Sequence, residues 1–268
     1  MPLEPTCLGI SSDGLYAVVG HDAKVSYVDL KAAQVIRTWP ISAHAGSIVL
    51  GDPMTLSGRA TRFAYVFPVV DGPIGIHNLD LGTGAESTSG DLLYEMDGHL
   101  AVDGANLFAV PSHVLPARLH RFAIDSSTGI AGSQSAESPY WGDPPIRSPI
   151  WLSLDGATVL TSAGTVFRTS DLTYAGEVST DVGWADWSQS AGRWLVQPGV
   201  LDDSFWIVDS KTLADLGHVK YPRYKVGLWT AELHGRFLFH DSSGAHPIAV
   251  VELDPVGTKP AESHVLVY

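Results

Sequence analysis

Apolar residues along this chain recur at every second position in short runs, and the runs are broken by turn-forming pairs. Residues 8–18 (LGISSDGLYAV) align without a gap on residues 150–160 (IWLSLDGATVL). Each reads as a strand, a Ser-x-Asp-Gly turn and a second strand, the signature of a hairpin. Weaker copies of the turn stand at Asp103-Gly104, Ala191-Gly192 and His234-Gly235, each ahead of another apolar run. No i, i+3, i+4 pattern persists beyond about ten residues, so the chain reads as strand and turn throughout.

After each turn a further short strand closes on an aspartate: Asp29, Asp80, Asp125, Asp171, Asp209 and Asp254. Successive members are 51, 45, 46, 38 and 45 residues apart, close to the ~40 to 50 residues of a four-stranded propeller blade. The expectation is an all-β fold, a β-propeller of about six, or alternatively seven, four-stranded blades in one domain spanning 1–268. The blades fall approximately at 5–43, 44–90, 91–138, 139–180, 181–224 and 225–268. A β-sandwich also has many short strands, but it does not require one phrase to recur at this spacing. The repeated aspartates are assigned to structure, because a carboxylate at the start of a turn accepts backbone N–H groups two or three residues on.

The first copy, residues 10–30, resembles the YVTN-type and related WD40-like repeats of bacterial propellers, which run Ser-Pro-Asp-Gly, two apolar strands, then Val-Ile-Asp. The resemblance holds over residues 8–41 and 148–180. Ser12 and Leu154 stand where those repeats carry proline, and the Gly-His and Trp-Asp pairs of eukaryotic repeats do not recur. The resemblance implies a propeller, often of seven blades, and transmits no single function.

Composition narrows the partners. The formal net charge is -13 with a pI near 5.1, so the average surface repels nucleic acid and anionic lipid. Basic residues are scattered and form no stripe. Cys7 is the only cysteine, which excludes an internal disulfide and a cysteine-based zinc cage; it reads as a small buried apolar residue. There is no apolar run of membrane-spanning length and no signal-peptide pattern, so a soluble chain without membrane insertion is expected. Scarce Lys with abundant Ser, Thr, Gly and Trp is associated with bacterial exported proteins, which leaves a periplasmic or extracellular location open.

Two sets of loop residues carry candidate chemistry. In a four-stranded blade, the loops between second and third strands share a face with the blade-to-blade connections. The first set holds His21, Asp22, Asp71, His113, Asp202, Asp203, His240, Asp241 and His246, a mixture suited to a divalent metal or to acid-base work. No such cofactor is required, since Asp and His also serve loops by bonding the turning backbone. Neither His240-Asp241 with His246 nor Asp202-Asp203 matches a zinc or calcium motif.

The second set places aromatics beside polar groups: Trp39, Tyr140, Trp141, Arg147, Trp184, Tyr221, Arg223 and Tyr224. Such groupings suit a carbohydrate ring or a protein hot spot, although Trp and Tyr also wedge between blades as core. Tyr140 and Trp141, in a long Pro-rich connection, are expected to be exposed. No Gly-x-Ser-x-Gly elbow, P-loop or dinucleotide fingerprint is present. The sequence therefore favours a binding or scaffolding propeller, expected as a monomer, with a protein or carbohydrate ligand. The alternative is a metal-dependent lactonase- or hydrolase-like propeller enzyme with a His/Asp rim; a third reading makes the chain one domain of a longer exported protein.

Overall fold

The computed structural model describes residues 3–69, 75–89, 96–100, 104–112, 115–188, 190–199, 202–226, 229–231, 233–241, 243–253 and 262–268. Among these residues every regular element is a strand, as the period-2 pattern predicts. The chain divides into two compact units, Met1–Ile150 with Ser170–Thr173, and Trp151–Thr169 with Tyr174–Tyr268.

The first unit contains β1 (Cys7–Ile10), β2 (Tyr16–Asp29), β3 (Gln34–Leu50), β4 (Met54–Leu56), β5 (Arg59–Thr61), β6 (Phe63–Pro68), β7 (His77–Asp80), β8 (Glu86–Thr88), β9 (Met96–Leu100), β10 (Asn106–Pro111), β11 (His120–Ile124) and β12 (Ala131–Glu137). They form a six-stranded sheet in the order β1-β2-β3-β6-β7-β8, a four-stranded sheet β12-β11-β10-β9, and the small hairpin β4-β5. The second unit contains β13 (Ile150–Leu152), β14 (Thr158–Thr161), β15 (Thr165–Arg168), β16 (Tyr174–Glu177), β17 (Val182–Ser188), β18 (Arg193–Pro198), β19 (Ser204–Asp209), β20 (Asp215–Lys220), β21 (Tyr224–Val226), β22 (Trp229–Ala231), β23 (Leu233–His240), β24 (Pro247–Leu253) and β25 (Glu262–Val267). Two four-stranded meanders, β13 to β16 and β17 to β20, are followed by the hairpin β21-β22 and the sheet β23-β24-β25.

The blade count expected from the repeat needs correction. Five sheets of three or more strands stand among the described residues, not six or seven. The reason lies in β3. Its first half pairs with β2, from Asp29↔Gln34 to Asp22↔His44, and its second half pairs with β6, from Ala45↔Pro68 to Leu50↔Ala64. One continuous strand thus joins the segments expected at 5–43 and 44–90 into a single sheet.

β2 folds back on itself. Fully extended, its 14 residues would span roughly 45 Å, yet Leu30 N–H donates to Leu15 O at 2.9 Å. Ala23, at φ 52°, sits in the reversal. The Ser-x-Asp-Gly turns repeat in atomic detail. Ser11 and Ser153 each donate to the aspartate two residues on at 2.6 Å, and Gly14 and Gly156 have φ of 67° and 69°. His234-Gly235, by contrast, makes no turn: both lie inside β23, where the register shifts between Gly235 and Phe237. A β-carbon on Gly235 would meet Gln197 Oε1 at 2.0 Å, so this glycine answers to close packing.

Strand alternation builds the cores. On β6, Phe63, Tyr65 and Phe67 join one apolar cluster with Leu107 and Phe122, while Ala64 and Val66 join another with Val18, Trp39 and Leu79. On β18, Trp194 and Val196 face Trp151 and Val166, while Leu195 faces Phe205 and Leu238. Within each unit, a sheet one strand thick thus feeds two cores, one on each face.

Candidate functional site

The aspartates that end the third strands are turn acceptors. Asp29 accepts Ala32 N–H at 2.8 Å, Asp80 accepts Gly82 N–H at 2.8 Å, Asp125 accepts Ser127 N–H at 2.7 Å, Asp171 accepts Thr173 N–H at 3.0 Å and Asp209 accepts Thr212 N–H at 2.7 Å. Asp254 lies outside the described residues. Asp80 departs from the others in its depth. Burial alone would raise its pKa, but hydrogen bonds from Arg59, Thr61 and the Gly82 amide outweigh that and bring it to about 2.

The His and Asp residues of the loops are engaged locally. Both ring nitrogens of buried His21 are used, Nδ1 with Glu4 O and Nε2 with Ser26 Oγ, each at 3.0 Å. Exposed Asp22 holds His44 Nδ1 at 2.8 Å. Asp203 faces Arg223 at 3.6 Å, and neighbouring Asp202 is exposed. Asp241 closes its own turn by accepting from Ser243 and from the amides of Ala245 and His246, while His246 Nδ1 meets Tyr268 O at 3.2 Å. His240 is turned away from that group and pairs through Nδ1 with Asp186 at 2.8 Å. Asp71 and His113 lie outside the described residues. Among the described residues no group of three or more His, Cys, Asp or Glu is gathered to hold a metal ion.

The aromatic set separates into core and surface. Trp39 is packed into the first unit's core, with Arg37 over its ring at 5.6 Å. Tyr221 is buried against Phe205, and its hydroxyl donates to Gln197 Oε1; burial pushes that hydroxyl's pKa well up. Trp184 is half-buried and donates Nε1–H to Leu238 O at 2.9 Å. Tyr224 lies in β21, paired with Ala231, and its side chain is outside the described set. Arg147 and Arg223 are exposed, and Tyr140 is half-buried.

Trp141 is the exception: 71% of it is exposed. Buried residues tie down the chain on both sides of it. Ser138 N–H donates to Leu119 O at 2.8 Å, Ser138 Oγ accepts Leu119 N–H at 3.2 Å, and Ile146, Ala117 and Leu119 are buried. The Arg118 guanidinium lies 3.6 Å from the centroid of the Trp141 ring and pairs with Glu137. Stacking a planar, weakly hydrated cation on one face of the indole fixes the ring while most of it stays open. Leu115, 83% exposed, stands on the adjoining segment, where Pro116 would be 3.3 Å from a β-carbon at Gly142. The site is thus an aromatic platform with an aliphatic neighbour.

Comparison with solved structures shows what carries this platform. The chain is similar to the hydrazine synthase of Kuenenia stuttgartiensis, with a TM-score of 0.58 and 12% identity over 98% of this chain and 84% of that one. It is similar to the β-propeller domain of Cps50 (Swd1) from Myceliophteria thermophila, with a TM-score of 0.64 and 11% identity over 98% and 83%. A chain of the mitotic checkpoint complex matches with a TM-score of 0.60 and 8% identity over 100% and 78%. At such identities the likeness shows the fold, and the fold is a β-propeller. No protein-family model matches the sequence. No curated protein matches it either.

The sequence pointed to Trp141 but not to Leu115 or Arg118. Leu115 carries a faint signal, an apolar residue before proline in a loop with no alternating partner. Arg118 carries none, because only the folded chain brings it over a ring 23 positions away.

Proposed function

We propose that residues 1–268 form a single binding propeller, and that Trp141, Leu115 and Arg118 present it to a protein partner. The observation that carries this reading is a tryptophan held in place by a stacked arginine while most of its surface remains open. Exposed, pre-oriented Trp is the residue type most enriched where binding energy concentrates. Its order is already set, so little side-chain entropy is lost on association. Leu115 favours a peptide side chain over a sugar, because an aliphatic neighbour offers nothing to hydroxyl groups.

A photo-reactive residue in place of Leu115 tests the proposal in the native cell. A discrete crosslinked protein is expected, and Trp141→Ala should abolish it while leaving thermal unfolding unchanged. A crosslinking pattern indifferent to Trp141→Ala would sink the proposal. Binding on a glycan array that depends on Trp141 would transfer the platform to a carbohydrate ligand.

A further inference from the structure

A second aromatic surface lies in the other unit. On β23, Leu233 and Leu238 are buried, yet Phe237 and Phe239 remain 44% and 41% exposed. Their rings stack at 6.5 Å, and Trp184 of β17 stands across both, at 4.9 Å and 88° from Phe237 and at 6.1 Å and 67° from Phe239. Trp184 is fixed by its bond to Leu238 O and by an edge contact with Trp151 at 6.2 Å. The rings are therefore held in place while Phe237 and Phe239 stay partly open to solvent.

A carboxylate adjoins them. Asp186 follows Trp184 by two positions on β17, so both side chains leave the same side of that strand. Its Oδ2 accepts the backbone N–H of His240 at 2.7 Å and His240 Nδ1–H at 2.8 Å. His240 is the residue after Phe239, so the carboxylate is anchored to that end of β23. About a third of the Asp186 side chain, 33%, is still open to solvent. The cation on this strand, Arg236, is paired with Glu252. Partly exposed aromatic rings near a partly exposed carboxylate, in a chain of net charge -13, are complementary to a cation.

We propose that Trp184, Phe237, Phe239 and Asp186 form a recognition site for an arginine side chain of a partner protein. A guanidinium suits it better than an ammonium, being planar, weakly hydrated and able to stack on a ring while bonding a carboxylate at its edge. The site is independent of the Trp141 platform, so either can fail alone.

The test uses blocked Gly-Arg-Gly and Gly-norleucine-Gly peptides titrated into the whole protein, read from the Trp184 indole N–H resonance. A saturable shift is expected with the arginine peptide and none with the norleucine peptide. Phe237→Leu with Phe239→Leu keeps apolar bulk but removes the π-faces, and should weaken binding about fivefold, with unfolding little altered; Trp141→Ala should have no effect. Equal shifts from both peptides would overturn the proposal in favour of apolar docking. So would no saturable shift, or full binding by the double leucine variant.

Discussion

Asp80 and Asp209 occupy the same place in the repeat, and their surroundings separate them. Asp209 is half-buried and its carboxylate bonds only its own turn, whereas the Asp80 side chain is 10% exposed and also faces Arg59 and Thr61. With a folded pKa of about 2 against an ordinary 3.8, Asp80 contributes stability that is complete above about pH 4. That contribution disappears as pH falls toward 2, because the unfolded chain takes up the proton first. Asp80→Asn should cost at most about 2 kcal/mol at neutral pH and flatten this part of the acid-unfolding curve, measured by urea titration between pH 2 and 6. Glu86 behaves in the same direction: burial opposes its ionisation, but bonds from His77 and Ser42 outweigh that and lower its pKa.

Between elements, the second unit is held by side chains that satisfy backbone groups. β17 sends Trp184 to Leu238 O and Asp186 to the amide of His240, and farther along Arg193 donates to Ala245 O at 2.9 Å. The groups on β23 that face away from β24 would otherwise lack partners. Asp186→Ala should therefore lower stability by about 1 to 3 kcal/mol, the penalty for an amide left unsatisfied, seen as a reduced urea midpoint at unchanged slope. The turns predict a second test. Gly14 has φ 67° and open space around it, so Gly14→Ala should cost about 1 kcal/mol from backbone conformation alone. Gly84, at φ 79°, would in addition drive a β-carbon to within 2.2 Å of the Trp39 ring, and Gly84→Ala should cost clearly more.

For the whole molecule, stability and recognition draw on different tryptophans. Trp39→Ala empties a core position and should cost about 3 to 5 kcal/mol. Trp141→Ala should change the unfolding midpoint by less than about 0.5 kcal/mol while removing partner binding; a large loss of stability would show that Trp141 belongs to the fold and not to a surface. The two aromatic sites also differ in charge. The Trp141 platform already carries Arg118, whereas the Trp184 cluster adjoins Asp186. Added salt should weaken arginine-peptide binding at the latter more than capture at the former.

The sequence alone determined the strands, the Ser-x-Asp-Gly hairpins and the turn role of the repeated aspartates, because each follows from contacts within a few residues. The propeller followed too, since a recurring unit that cannot bury both of its faces must stack on copies of itself. Tertiary structure decided what depends on long-range placement. It ran β3 through two expected blades, buried Trp39 and Tyr221, and left Trp141 open. It also brought Arg118 onto an indole and Asp186 onto His240. Alternation states which residues share a face of a strand; only packing decides which face meets another sheet and which meets water.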